Sequence, residues 1–215
     1  DASRCSRGHA AETYVDALGA DLARALDESH EPVELVTGHR RESFGAGFDE
    51  LCDGLRRVAT AHPEWTIVYP VHLNPRVRGP AHDARGGIPN VHLIEPLSYQ
   101  PFGWLMNRAT AILTDSGGIQ EEGPSLRVPV LVTRDVTERP EAVAAGGVRL
   151  VGTDAARIVR GLETAILDPA ERARMTSGVN PYGVGRAAHR IADALFARYG
   201  ASVPMAAERA AQVAA

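Results

Sequence analysis

Six short apolar runs punctuate the chain: VELV (33–36), TIVYP (66–70), VHLI (91–94), AILT (111–114), PVLVT (129–133) and VRLVG (148–152). Most are too continuously apolar for a hairpin strand with one wet face, and they suit a parallel sheet covered on both sides. Between them lie segments of helical period: GFDELCDGLRRVATAH (47–62), PFGWLMNRA (101–109) and DAARIVRGLETAIL (154–167), the last with Asp154 placed as its N-cap. GRAAHRIADALFARY (185–199) returns to that period after a turn-like SGVNPYGVG. The alternation predicts an α/β fold, a doubly wound and mostly parallel Rossmann-like sheet with ligands outside the carboxyl ends of its strands. At 215 residues one sizeable core is expected. Residues 1–200 read as that domain and 201–215 as an Ala-rich tail.

Composition removes several functions. A net charge of −4 argues against a nucleic-acid partner held by a general basic field. No apolar run approaches the ~18 residues of a spanning helix, so no membrane partner is expected. Cys5 and Cys52 have neither metal nor redox spacing, which fits a reducing, cytoplasmic setting. The chain opens on Asp1, and DASRCSRGH lacks the apolar core of a signal peptide. The expectation is that whatever precedes Asp1 has been removed or left out.

TDSGGIQEE (114–122) stands where this fold places ligands, at the hand-over from the fourth strand to a helix. A helix start leaves backbone N–H groups without partners, and its dipole favours negative charge. Gly117 and Gly118 would admit a phosphate to those groups without a Cβ in the way, and the Ser116 hydroxyl can donate as well. Glu122, about one turn on, is placed to accept from sugar hydroxyls. The plainer alternative is a glycine-rich turn feeding a short helix that Gly123-Pro124 soon ends.

Other segments carry weaker signals. FGAGFDE (44–50) begins like a dinucleotide fingerprint, but its third glycine position is Glu50 and no acidic ribose partner follows; its glycines read as turn residues, and no NAD is expected. TGHRRES (37–43) offers His39 as an acid–base group and Arg40 and Arg41 to phosphates, or else it is a solvated loop. YPVHLNP (69–75) sets His72 after a strand, with Asn74-Pro75 turning the chain; a hydrogen-bonded structural histidine is the alternative. His92 falls inside a strand and reads as structural. TERPEAV (137–143) carries Arg139 after the fifth strand, suited to a diphosphate or to a surface ion pair with Glu138 or Glu141. The histidines show no zinc-ligand spacing and there is no Asp-x-Asp, so neither metal nor other cofactor is expected.

Taken in order, TGHRRESFGAGF, IVYPVHLNP, LMNRATAILTDSGGIQEE, PVLVTRDVTERPEAV, VRLVGTD and NPYG closely resemble the non-hydrolysing UDP-N-acetylglucosamine 2-epimerases, over roughly residues 33 to 196. The resemblance implies a glycosyltransferase-B-type architecture of two Rossmann-like domains, of which this chain matches the C-terminal one, with AETYVDAL (11–18) as the helix leading in. It implies that Ser116, Gly117 and Gly118 hold the UDP diphosphate, that Glu122 binds the ribose and that Arg139 helps hold the nucleotide. It maps Leu97 and Phe102 to the uracil, although Leu97 replaces a polar residue of some members. His39 maps to an active-site histidine, and Arg40 and His72 to positions that touch a regulatory UDP-N-acetylglucosamine. The implied partners are that nucleotide sugar or UDP, the N-terminal domain of the same protein and a second copy in a homodimer.

The chemistry implied is expulsion of UDP from the sugar to leave a 2-acetamidoglucal, followed by re-addition on the other face. It requires stabilisation of the leaving diphosphate and acid–base carboxylates at C2 and C3, which the family keeps on its N-terminal domain. Three readings compete: the UDP-binding half of an epimerase, a hydrolysing relative or glycosyltransferase on the same domain, and a non-catalytic half that binds nucleotide sugar with a partner.

Overall fold

A computed structural model describes residues 11–28, 30–38, 45–85, 87–183 and 185–200. A 3₁₀ turn, Ala11–Tyr14, and a short helix α1, Val15–Leu18, lead through Gly19 into α2, Ala20–Glu28. Then come β1 (Val33–Thr37), α3 (Ala46–Ala61), β2 (Thr66–Pro70), α4 (Pro75–Arg85), β3 (Val91–Ile94), α5 (Tyr99–Arg108) and β4 (Ala111–Thr114). The second half continues with α6 (Gly117–Ser125), β5 (Val130–Val132), α7 (Pro140–Ala144), β6 (Val148–Leu150), α8 (Ala155–Leu167), α9 (Pro169–Ser177) and α10 (Ala187–Tyr199). Two compact units divide the chain, residues 1–181 and 182–215. The second contains α10, which has no buried residue.

All six strands form one parallel sheet in the order β3-β2-β1-β4-β5-β6. The doubly wound expectation is met. This order reverses between β1 and β4, so the loops after those strands diverge and leave a crevice at their carboxyl ends. Alternate residues serve opposite faces. Val36, Ile67, Tyr69, Leu113 and Leu131 pack with Leu51, Leu55, Val58 of α3 and Ile158, Leu162 of α8. Gly54 lets those two helices approach: a Cβ there would meet Ile158 Cγ2 at 3.2 Å and Ala155 Cα at 3.4 Å. On the other face Leu35 and Ile112 are fully buried, as are Leu26 of α2 and Leu105 of α5. Arg108 Nε donates to Leu26 O at 3.0 Å and ties α5 to α2.

Strand positions agree closely with expectation, and helices less so. Asn74-Pro75 does not turn the chain away but starts α4: Asn74 Oδ1 accepts from Arg76 N at 3.0 Å, and proline suits the first helical position. Gly123-Pro124 falls in the last turn of α6, which ends at Ser125, as a short helix soon ended by that pair would. Gly123 lies against β5, where an added Cβ would meet Val130 Cγ2 at 2.4 Å, so close packing decides what propensity would not. Of the FGAGFDE glycines only Gly45 is a turn residue, at φ +84° before α3; Gly47 is inside the helix.

Candidate functional site

The crevice floor is built by hydrogen bonds between strand ends. Thr37 and Thr114 end the neighbouring strands β1 and β4, and their hydroxyls lie 2.6 Å apart, both buried. Thr114 Oγ1 also accepts from Ser116 N at 2.9 Å, and Asp115 N donates to Thr37 O at 3.3 Å. Thr133, after β5, donates from its backbone N–H to Thr114 O at 2.9 Å. The turn into α6 is therefore fixed before any ligand arrives. Tyr69 Oη donates to Gly38 O at 2.7 Å, holding the chain as it leaves β1, and burial pushes this phenol well above its ordinary range.

Ser116 is the N-cap of α6 in extended conformation (φ −82°, ψ 131°), and its side chain makes no capping hydrogen bond. The first backbone bond of the helix runs from Gln120 N to Ser116 O. The N–H groups of the first turn thus face the crevice end without a side-chain cap, which is what an anion needs. A Cβ on Gly118 would meet nothing nearer than Ser116 Oγ at 3.9 Å. The glycine keeps that approach open.

Beside this helix start lies a cavity of about 250 Å³, lined among others by Gly38, His72, Leu97, Phe102, Ser116 and Ile119. Four residues singled out from the sequence, Leu97, Phe102, Ser116 and His72, come together here. His72, which the resemblance maps to a position touching a regulatory UDP-N-acetylglucosamine, lines this same cavity. Its Nδ1 accepts from Asn74 N at 3.1 Å, so the neutral ring carries its proton on Nε2. Another cavity, about 20 Å³ between α3 and the β2–β3 side, is lined mainly by aliphatic chains and has room for no more than a water.

Glu122 and Arg139 do not line the larger cavity. Glu122 Oε2 accepts from Tyr99 Oη at 2.8 Å, which joins α6 to the start of α5; this hydrogen bond raises the Tyr99 phenol above its ordinary value, with burial adding to it. Arg139 is the N-cap residue of α7, its Nε donating to Glu121 Oε1 and its Nη1 to Glu138 O at 3.2 Å. The guanidinium is thereby held on α6. His39 and Arg40 lie outside the described residues.

Sequence reading passed over Gln120, Thr137, Tyr99 and the Thr37–Thr114 pair. The only available signal was the position of Gln120 inside SGGIQEE. The others lie 17, 23 and 77 residues from their partners. Among the described residues no group of three His, Cys, Asp or Glu could hold a metal ion, and no helix is long and apolar enough to cross a membrane.

Comparison with known proteins places this geometry. A protein of Escherichia coli K12 named UDP-N-acetylglucosamine 2-epimerase is 60% identical over 161 residues, covering 75% of this chain and 43% of its own length. The crystal structure of UDP-GlcNAc 2-epimerase from Neisseria meningitidis bound to UDP-GlcNAc superposes with a TM-score of 0.76 at 40% identity, over 87% of this chain and 52% of that one. The S. aureus MnaA-UDP co-structure gives 0.75 at 38%, over 79% and 47%. The sheet is one half of a glycosyltransferase-B-type fold, and the chain spans less than half the length of the curated relatives it matches. The family model described as UDP-N-acetylglucosamine 2-epimerase matches residues 8–196, nearly the whole of the described fold, and on that match the chain belongs to the UDP-N-acetylglucosamine 2-epimerase family.

Proposed function

We propose that this chain binds UDP at the carboxyl ends of β1 and β4, as the UDP-binding half of an enzyme that interconverts UDP-N-acetylglucosamine and UDP-N-acetylmannosamine. The observation that carries this reading is the convergence of Leu97, Phe102 and Ser116 on one cavity beside the uncapped start of α6. Phe102 and Leu97 would hold the uracil, Ser116, Gly117 and Gly118 the diphosphate, and Glu122 the ribose. Arg139 would add a cation on the diphosphate. The two relatives solved with UDP-GlcNAc and with UDP support the same ligand class.

The C2 proton of the sugar is not acidic, because no carbonyl adjoins C2. Inversion by elimination breaks the C1–O bond to UDP as a base takes the C2 proton, and re-addition of the retained UDP returns a proton to the other face. The part this chain plays is to stabilise the charge that develops on the leaving diphosphate, through the α6 N–H groups and Arg139. His39, next to this crevice in sequence, would contribute as an active-site acid–base group. The carboxylates that move protons at C2 and C3 belong, in this reading, to the partner half of the protein. A homodimer in the cytoplasm, with His72 and Arg40 touching a regulatory UDP-N-acetylglucosamine, completes the proposal.

The test is calorimetric titration of the chain with UDP, together with product analysis for the protein joined to its other half. UDP-N-acetylmannosamine should form from UDP-N-acetylglucosamine and come to equilibrium with it. Release of free N-acetylmannosamine would replace this reading with that of a hydrolysing relative, and absence of UDP binding would end it.

A further inference from the structure

Gln120 makes none of the nucleotide contacts drawn above, yet it is 0% exposed in the middle of α6. A buried primary amide must use both ends of its dipole or lose its hydration without return. Its Nε2 donates to Ser116 O at 3.2 Å, and its Oε1 accepts from Thr137 Oγ1 at 2.5 Å. The orientation follows from the partners, since the Ser116 carbonyl can only accept. Thr137 Oγ1 in turn accepts from Arg139 N at 3.1 Å. Three hydrogen bonds therefore run from the turn after β4 to the loop after β5, and they end at the backbone of the residue that carries the guanidinium.

A purely local role would keep the amide within its own helix. Only the Ser116 bond is of that kind. The Thr137 bond reaches 17 residues along the chain to the part-buried loop of the neighbouring strand, and its Gln120 end is fully buried, where an unmade bond is costly. We propose that Gln120 is a positioning residue, which sets Arg139 against the Ser116 turn so that the guanidinium and the helix start meet one diphosphate together. This rests on the reading of the site given above. Without the amide link, ordering the Arg139 loop would have to be met from the free energy of binding, and a charge misplaced by about an ångström stabilises a phosphate poorly.

The experiment is a double-mutant cycle on the 215-residue chain. Gln120→Leu removes both amide bonds at similar volume, and Thr137→Val removes the hydroxyl while Thr137→Ser keeps it. Each is made alone and with Arg139→Ala. UDP is titrated by calorimetry, uridine by NMR shifts, and thermal melts report the fold. Gln120→Leu and Thr137→Val should each weaken UDP about tenfold and uridine less than about twofold, with Thr137→Ser near wild type. Combined with Arg139→Ala, Gln120→Leu should change UDP affinity by less than about twofold. Equal losses for UDP and uridine, or a Gln120→Leu loss that adds in full to that of Arg139→Ala, would overturn the proposal and leave Gln120 a core residue. If Gln120→Leu fails to fold, the Thr137→Val and Thr137→Ser pair decides in the same two backgrounds. A wild-type chain that binds no UDP overturns the reading of the site, and the positioning role with it.

Discussion

Glu34 and Glu122 show how differently the fold treats two glutamates. Glu34 sits in β1 at 0% exposure, paired in register with Ile67 and Ala111, and among the described residues neither of its carboxylate oxygens meets a hydrogen-bond partner. Burial pushes its carboxyl up from 4.5 to about 8. The folded chain then binds a proton that the unfolded chain has released between those pH values. Stability from this group is fully present below about pH 4.5 and is lost as pH rises through about 8, at up to about 1.4 kcal/mol per pH unit. Urea denaturation from pH 5 to 9 should show that slope in the wild type, and Glu34→Gln should flatten it. A slope unchanged in the variant would mean the carboxyl is not the source. Glu122 is half-exposed and carries only the Tyr99 phenol. If ribose hydroxyls bond to it, Glu122→Gln should cost UDP about 1.5–3 kcal/mol of binding and 2′-deoxy-UDP distinctly less. Equal losses in calorimetry would reduce Glu122 to a partner of Tyr99. Of this pair, the role proposed for Glu122 can be read from SGGIQEE, whereas the burial of Glu34 cannot be read from VELV, because that run says strand without saying which face receives the glutamate.

At the scale of elements, α6 and the α3–α8 contact separate function from stability. The Gly118 position is open, so Gly118→Val should leave the melting temperature within a few degrees of wild type, since valine is no worse than glycine in a helix. It should nevertheless abolish calorimetric UDP binding by filling the approach to the helix start. Retained affinity would place the diphosphate elsewhere. Gly54→Val does the opposite. Its branched side chain would enter the packed contact with Ile158 and Ala155, and overpacking of that kind costs about 1–3 kcal/mol. A fall in the denaturation midpoint without change in UDP affinity per folded molecule is expected. The same elements show where sequence patterns mislead. Pro75 reads as a turn but opens α4, because proline suits the first helical position and Asn74 caps it, whereas Gly123-Pro124 is drawn into the last turn of α6 by close packing on Val130.

For the molecule as a whole, the nucleotide contacts proposed here gather at the carboxyl ends of the central strands β1 and β4, while the proton chemistry at C2 is assigned elsewhere. The chain covers 43% of the Escherichia coli relative, and three motif carboxylates among the described residues already have cationic or phenolic partners: Glu122 meets Tyr99, Glu121 meets Arg139 and Glu138 meets Arg134. The 215-residue chain should therefore bind UDP yet fail to exchange the C2 proton of UDP-N-acetylglucosamine in deuterated water. NMR detection of deuterium at C2, at a rate comparable to the joined enzyme, would place a complete acid–base set within these residues.

Strand order could not be read from the apolar runs, although their positions could, because periodicity is a property of neighbours along the chain. A run such as AILT is strand wherever it pairs. That β4 lies beside β1 rather than β3 was decided only by packing, and it is this choice that opens the crevice and brings Thr37 to Thr114. The turn proposed to hold phosphate could be read from sequence because a helix start can bind anions through its own backbone, within five residues of sequence. The bonds that hold Arg139 to that turn join side chains from loops after adjacent strands. Their partners become neighbours only when the sheet forms, so tertiary structure alone could reveal them.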